Sequence, residues 1–154
     1  PPYHLCQRLN MSRLSRTKGA NFELSLSKMF EAELGIERPL RNLSQYQVSG
    51  RADLMAGPFS VEAKRYASAA GGWFQADWWE QTKSSAIAEN AIPLLVYKYD
   101  CIAAKFVFPI YAVNTEWMHT SGDNWSTYPA DGNALMPMVC EQDVAMSIMR
   151  EWIS

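Results

Sequence analysis

The chain has 154 residues, 48% hydrophobic and 19% charged, which suits one globular domain with a substantial core. No apolar run approaches the ~20 residues that cross a bilayer, no secretory signal opens the chain, and the three scattered cysteines, Cys6, Cys101 and Cys140, exclude a disulfide scaffold or zinc ribbon and suit the reducing cytoplasm. Net charge is −2, but residues 1–65 hold ten Lys/Arg against six Asp/Glu while residues 66–154 hold four against ten, an asymmetry that a phosphate-facing surface needs.

Residues 1–14 read as an N-terminal tail, with Met11 as a natural start, and residues 15–154 as a single domain without repeat or linker. The arm as far as Lys18 carries Arg13, Arg16 and Lys18. A helix is predicted from about Gly19 to Leu34, because Phe22, Leu26, Met29, Phe30 and Leu34 recur at helical spacing and Gly35 supplies the stop. Pro39 breaks the next stretch, between Arg38 and Arg41, and Gln45–Ser49 reads as a short strand. From Ala52 to Lys64 two strands are joined by Gly57-Pro58, a pair suited to a type II′ turn because glycine takes positive φ first and proline's fixed φ fits second. Ala67–Gly72 is a small-residue loop. Trp73–Asn90 reads as a second helix, with Trp78, Thr82, Ser85 and Ala86 inward and Glu80, Lys83 and Ser84 toward water. Ile92–Tyr99 has the continuous apolar character of a strand buried on both faces. Lys105–Val113 gives further β material, His119–Gly132 is mostly loop, and Gln142–Ile153 is a last helix presenting Val144, Ile148 and Trp152 to the body.

The two-residue turn opposes Ala56 to Phe59 and therefore Asp53 to Glu62. Side chains so placed have Cβ atoms about 4.5–5.5 Å apart, where like charges are destabilising. Lys64 shares their face by strand alternation, and Glu62-Ala63-Lys64 is the chain's one acid-x-Lys triplet. Two opposed carboxylates beside an ammonium are costly unless a divalent cation lies between them. Asp53 and Glu62, with the Ala63 carbonyl, offer the oxygen ligands that Mg²⁺ or Mn²⁺ takes. A cation there polarises a phosphate and activates a bound water, and Lys64 orients that water or offsets transition-state charge. His4 and His119 are the only histidines, which argues against zinc hydrolysis or a histidine–metal nuclease finger. Arg13, Arg16, Lys18, Arg38, Arg41, Arg51 and Arg65 lie in the same basic half and are expected to bind DNA through its phosphates. Trp73, Phe74, Trp78 and Trp79 suit either base stacking or, the commoner use, packing of their helix onto the sheet or a partner subunit.

The order helix–strand–hairpin–helix–strand, with "TKGANFELSLSKMFEAELG", "GRADL", "VEAKRY", "WWEQ" and "PLLVYK" between Ser15 and Asp100, resembles the PD-(D/E)XK nuclease superfamily. Within it the likeness is to Holliday-junction-resolvase-like and phage resolvase-like endonucleases. The resemblance implies an α/β, restriction-endonuclease-like core (αβββαβ) whose mixed central sheet is flanked by helices. It also implies Mg-dependent hydrolysis of branched DNA in DNA recombination, by a homodimer acting in the cytoplasm, the host's if the chain is phage-encoded. By the same resemblance Asp53 and Glu62 match the two metal-binding acids and Lys64 the motif lysine. Glu23 matches an acid that assists metal binding, and Gln81 a polar residue near the site. Ala52 stands where the motif name has proline, and the region after about Asp100 matches nothing in this resemblance. The alternative is a non-catalytic nucleic-acid-binding or assembly protein that retains the fold; the intact Asp53, Glu62 and Lys64 set favours the enzyme.

Overall fold

The computed structural model describes residues 3–41, 50–68, 73–113 and 135–154, with side chains from residue 13 onward. Its strands are β1 (Leu54–Ala56), β2 (Phe59–Tyr66), β3 (Ile92–Tyr99), β4 (Lys105–Pro109) and β5 (Pro137–Cys140), joined in that spatial order in one sheet. β2 and β3 are parallel, and the other neighbours are antiparallel. A parallel pair needs a crossover, supplied by α2 (Ala76–Ala88). α1 (Tyr3–Leu34) and α4 (Gln142–Ile153) pack on the opposite face, and the four-residue α3 (Ile110–Val113) follows β4. This is the mixed, helix-flanked α/β sheet expected.

Alternation along the strands separates two cores. Phe59, Val61, Leu94, Val96, Phe106 and Phe108 meet Phe22, Leu26 and Phe30 of α1 and Ala145, Met146 and Met149 of α4. Leu95, Tyr97, Tyr99 and Val107 meet Phe74, Trp78 and Trp79 beneath α2. Thr82, Ser85 and Ala86 are buried with Trp78, as the helical spacing predicted. Three of the four aromatic residues at positions 73–79 therefore pack, and Trp73 is exposed.

Several expectations are corrected. α1 begins at Tyr3 rather than at about Gly19, so residues 3–14 of the expected tail and the arm as far as Lys18 are helical. The stretch Met11–Lys18 holds no glycine or proline and is rich in residues that tolerate a helix, and the helix continues through the lone Gly19. β structure stops at Pro109 rather than Val113. β5 escaped the sequence reading because it is four residues long and opens on a proline, which strands accept at sheet edges and first positions. On α4 the inward stripe is Ala145, Met146, Ile148 and Met149, Val144 is exposed, and Trp152 is half-buried; flexible methionines fill the irregular gaps over the sheet. The expected strand at Gln45–Ser49, residues 69–72 of the small-residue loop, and the loop His119–Gly132 lie outside the described residues. Among the described residues no helix is long and apolar enough to cross a membrane.

The hairpin turn is tight on both sides. Gly57 has φ +56°, and a Cβ there would lie 3.0 Å from Ile153 Cγ1 at the end of α4. Gly57→Ala is expected to destabilise the protein by about 1–2 kcal/mol from the left-handed backbone alone, with displacement of Ile153 in addition. Chemical denaturation of the two proteins is the check.

Candidate active site

The hairpin has the register that its turn dictates: Leu54 opposite Val61, Met55 opposite Ser60, Ala56 opposite Phe59. Asp53 lies one residue before β1, and its buried carboxylate finishes the ladder, Oδ2 accepting from the Ala63 N–H at 2.8 Å. A strand residue's N–H and C=O point to the same side, so the Ala63 carbonyl is directed toward Asp53 as well.

Glu62 is 4% exposed. Its Oε1 accepts from Gln81 Nε2 at 2.8 Å and lies 3.4 Å from Lys64 Nζ, while Lys64 Nζ donates to Gln81 Oε1 at 2.9 Å. The three side chains close a ring between β2 and α2. Glu62 Oε2 is buried without a hydrogen-bond partner among the described residues, as is Ser60 Oγ two residues earlier. Such atoms are uncommon in folded proteins, and each calls for an explanation.

Glu23 enters from α1, buried, with its Oε2 accepting from Arg41. Burial, then Asp53, push its carboxyl up, against the hydrogen bond and charge of Arg41. Burial pushes the Glu62 carboxyl up to about 7, helped by Asp53 and Glu23 and opposed by Lys64. Three acids thus share one field. They are not drawn into a ready-made cage, since no group of three ligating side chains converges among the described residues. Asp53 is turned to Ala63, Glu62 to Gln81 and Lys64, and Glu23 to Arg41. The donor set nonetheless fits a hard divalent cation: all oxygen, with one buried carboxylate oxygen left without a hydrogen-bond partner.

Glu23, Asp53, Glu62, Lys64 and Gln81, the five residues the sequence nominated as catalytic, are therefore brought together, with Ala63 beside them. The cations expected on phosphate are dispersed and mostly engaged. Lys18 and Arg65 meet at Asp100 (3.1 Å from Lys18 Nζ to Oδ2), Arg38 forks onto Glu31 at 2.9 and 3.0 Å, and Arg41 holds Glu23. Arg13, Arg16 and Arg51 are exposed. Asp100 and the Arg41–Glu23 pair escaped the sequence reading, because both join residues far apart in the chain.

Residues 14–131 match the family described as "Phage putative PDDEXK endonuclease". The chain belongs to that family. The match extends beyond Asp100, where the sequence segments fell silent, and agrees with a restriction-endonuclease-like reading of the mixed sheet. A solved structure of Hjc, a Holliday junction resolvase from the archaeal hyperthermophile Archaeoglobus fulgidus, is similar over 86% of this chain and 98% of its own, at 13% identity and a TM-score of 0.48; a likeness at that level supports no statement about substrate. No curated protein matches the chain.

The Glu62 shift has a consequence for stability. Between its ordinary value of 4.5 and about 7, the folded protein binds the proton more tightly than the unfolded chain. Without divalent cation this PDDEXK chain is therefore expected to lose stability as pH rises through that window; Glu62 imposes no cost well below 4.5 and its full cost above 7. Glu62→Gln should flatten the decline. Thermal denaturation of both proteins in chelator across pH 4–8 is the check, and parallel curves would remove the assigned shift.

Proposed function

We propose that the chain is a divalent-metal-dependent DNA endonuclease, acting in the cytoplasm on branched or otherwise structured DNA, with Asp53, Glu62 and Lys64 at its reacting centre. The observation that carries the reading is the Glu62 carboxylate, one oxygen clasped by Gln81 and Lys64, the other buried and unpartnered in the field of Asp53 and Glu23. Asp53, Glu62 and the Ala63 carbonyl would hold Mg²⁺ or Mn²⁺, with Glu23 assisting. When bound, the cation polarises the phosphate and supplies a water of lowered pKa.

The side chains do the rest. An ammonium has three N–H groups; with one on Gln81 and one toward Glu62, the third N–H of Lys64 is left to orient the attacking water or to stabilise charge building on the phosphate oxygens. Gln81, donating to Glu62 and accepting from Lys64, holds the two at fixed separation and is a positioning residue. The Ala63 N–H holds Asp53 toward β2. The preference for branched DNA rests on the resemblance of the quoted segments to resolvase-like nucleases. The homodimer belongs to the same proposal, since one reacting centre cuts one strand and paired cuts need two copies.

Cleavage of linear, flap, fork and four-way DNA with Mg²⁺ or Mn²⁺ tests this reading. Asp53→Ala, Glu62→Ala and Lys64→Ala are each expected to slow cleavage by about 10²-fold or more while the protein stays folded, and chelator should abolish it. Near wild-type rates in all three variants would remove the assigned site. A folded protein that binds these DNAs and cuts none would favour the binding or assembly alternative. Light scattering on the same preparation should give a dimer mass.

Binding is expected to weaken steeply with salt, through Arg13, Arg16, Lys18, Arg51 and Arg65. Neutralising Arg13 and Arg16 together should reduce the slope of log affinity against log salt by about one unit per lost phosphate contact, with cleavage at saturating DNA unchanged. An unaltered slope would shift the DNA path away from α1.

A further inference from the structure

The reacting centre leaves a row of aromatic rings beside it unused. Tyr66 lies two residues beyond Lys64 on β2, and alternation puts Glu62, Lys64 and Tyr66 on the α2 face. Two residues of strand span roughly 6.6 Å, about one nucleotide step in an extended strand. Tyr66 is 46% exposed, and its ring stacks on Trp78 of α2 with centroids 5.0 Å apart and planes 11° from parallel. Trp78 is buried, so one face of the Tyr66 ring is covered and the other is left toward solvent. The row continues inward from Trp78 to Tyr99 at 6.3 Å and Tyr97 at 5.7 Å, then to Phe74 at 6.0 Å. It emerges at Trp73, which stacks on Phe74 at 5.1 Å and is 59% exposed. The Tyr99 hydroxyl donates to the Trp73 carbonyl at 2.6 Å and pins that end.

A solitary exposed ring is ordinary on a protein surface. Tyr66 differs in two ways. It is held parallel to a buried indole, so a flat ligand finds the ring already oriented and little side-chain freedom remains to be lost. It is also bracketed by cations, Lys64 before it on the same face and Arg65 on the other, where Arg65 and Lys18 flank Asp100. A flat apolar face one nucleotide step from an ammonium suits a base joined to a phosphate, and stacking accepts any base because each has a π-face. A base paired within a duplex has both faces covered by its neighbours; an unpaired one does not.

We infer that Tyr66, backed by Trp78, is a stacking platform for an unpaired nucleobase adjoining the phosphate at Lys64, and that it gives the site a preference for DNA that exposes unpaired bases at the cut. Trp73 is the matching ring at the far end of the row. The inference rests on the reading of DNA as the substrate.

The test compares a forked duplex, carrying 2-aminopurine as the first unpaired base, with a linear duplex of equal length. Full-length wild type, Tyr66→Ala and Tyr66→Phe are measured by fluorescence anisotropy without divalent cation, so that the DNA stays intact. Tyr66→Ala should lower the ratio of fork to duplex affinity about tenfold, and Tyr66→Phe should keep that ratio, because stacking needs the ring and not the hydroxyl. Binding should quench 2-aminopurine with the wild type and the Phe variant, and not with the Ala variant. If Tyr66→Ala weakens fork and duplex equally, or the Phe variant behaves as the Ala variant does, Tyr66 is a structural residue and the platform is overturned. A wild type that favours the fork while Tyr66→Ala keeps the whole preference overturns the platform alone. A wild type that binds neither DNA overturns the DNA reading together with it.

Discussion

Burying Glu62 beside Asp53 is the constraint on which the rest of the site depends. Desolvating one carboxylate next to another is unfavourable, and the fold tolerates it because three polar partners from two elements converge there. β2 brings Lys64 on the same face, α2 brings the Gln81 amide, and the Ala63 N–H takes Asp53. α1 then adds Glu23, itself balanced by Arg41. Each acid thus has a polar partner, and Glu62 Oε2 is left buried without a hydrogen bond among the described residues. On the proposed reading stability and function pull in opposite directions at that side chain: an apolar replacement would remove the cost of a desolvated carboxylate and with it one of the proposed ligands.

The parts legible in the sequence were those set by short-range geometry. Taken as a two-residue turn rather than a longer, looser loop, Gly57-Pro58 sets the register seen in the hairpin, and the opposition of Asp53 to Glu62 and the shared face of Lys64 then come from counting residues. Helical spacing likewise marked Phe22, Leu26 and Phe30, and Trp78, Thr82, Ser85 and Ala86. Gln81 and Glu23 were reached only through family resemblance, since nothing local tells a helical glutamine that clasps a glutamate from one that faces water. The features hidden from the sequence depend on tertiary partners. Arg41 looks like any surface arginine until α1 presents Glu23, Asp100 like any turn residue until Lys18 and Arg65 converge on it, and Pro137–Cys140 becomes a strand because β4 offers an edge.

The basic half of the chain also reads differently once folded. Its charge is partly spent within the molecule: Arg41 is half-buried against Glu23, and Arg38, Lys18 and Arg65 have acidic partners near the surface. Lys18–Asp100 and Arg38–Glu31 lie at the surface, where solvent and salt screen the attraction, so a phosphate can compete for those two cations at little cost to the fold. Asp100, its carboxyl lowered by the hydrogen bonds of Arg65 and Lys18, keeps those two cations side by side at the end of β2 beyond Lys64.

The two-residue turn at Gly57-Pro58 makes the site intolerant of changes in length. In a long surface loop an extra residue is absorbed locally; here the loop has no slack, and Ile153 of α4 closes against it. One residue inserted between the paired strands would slip the register, and each slip of one reverses the face to which a strand's side chains point. Asp53 would no longer stand opposite Glu62, and a hydrophobic residue bound for the α1 face would be offered to α2 in its place. A substitution that keeps the count of residues leaves this opposition intact, whereas an insertion or deletion in the turn does not. The spacing of nine residues from Asp53 to Glu62 is thus a mechanical dimension of the proposed site, as fixed as the length of a side chain.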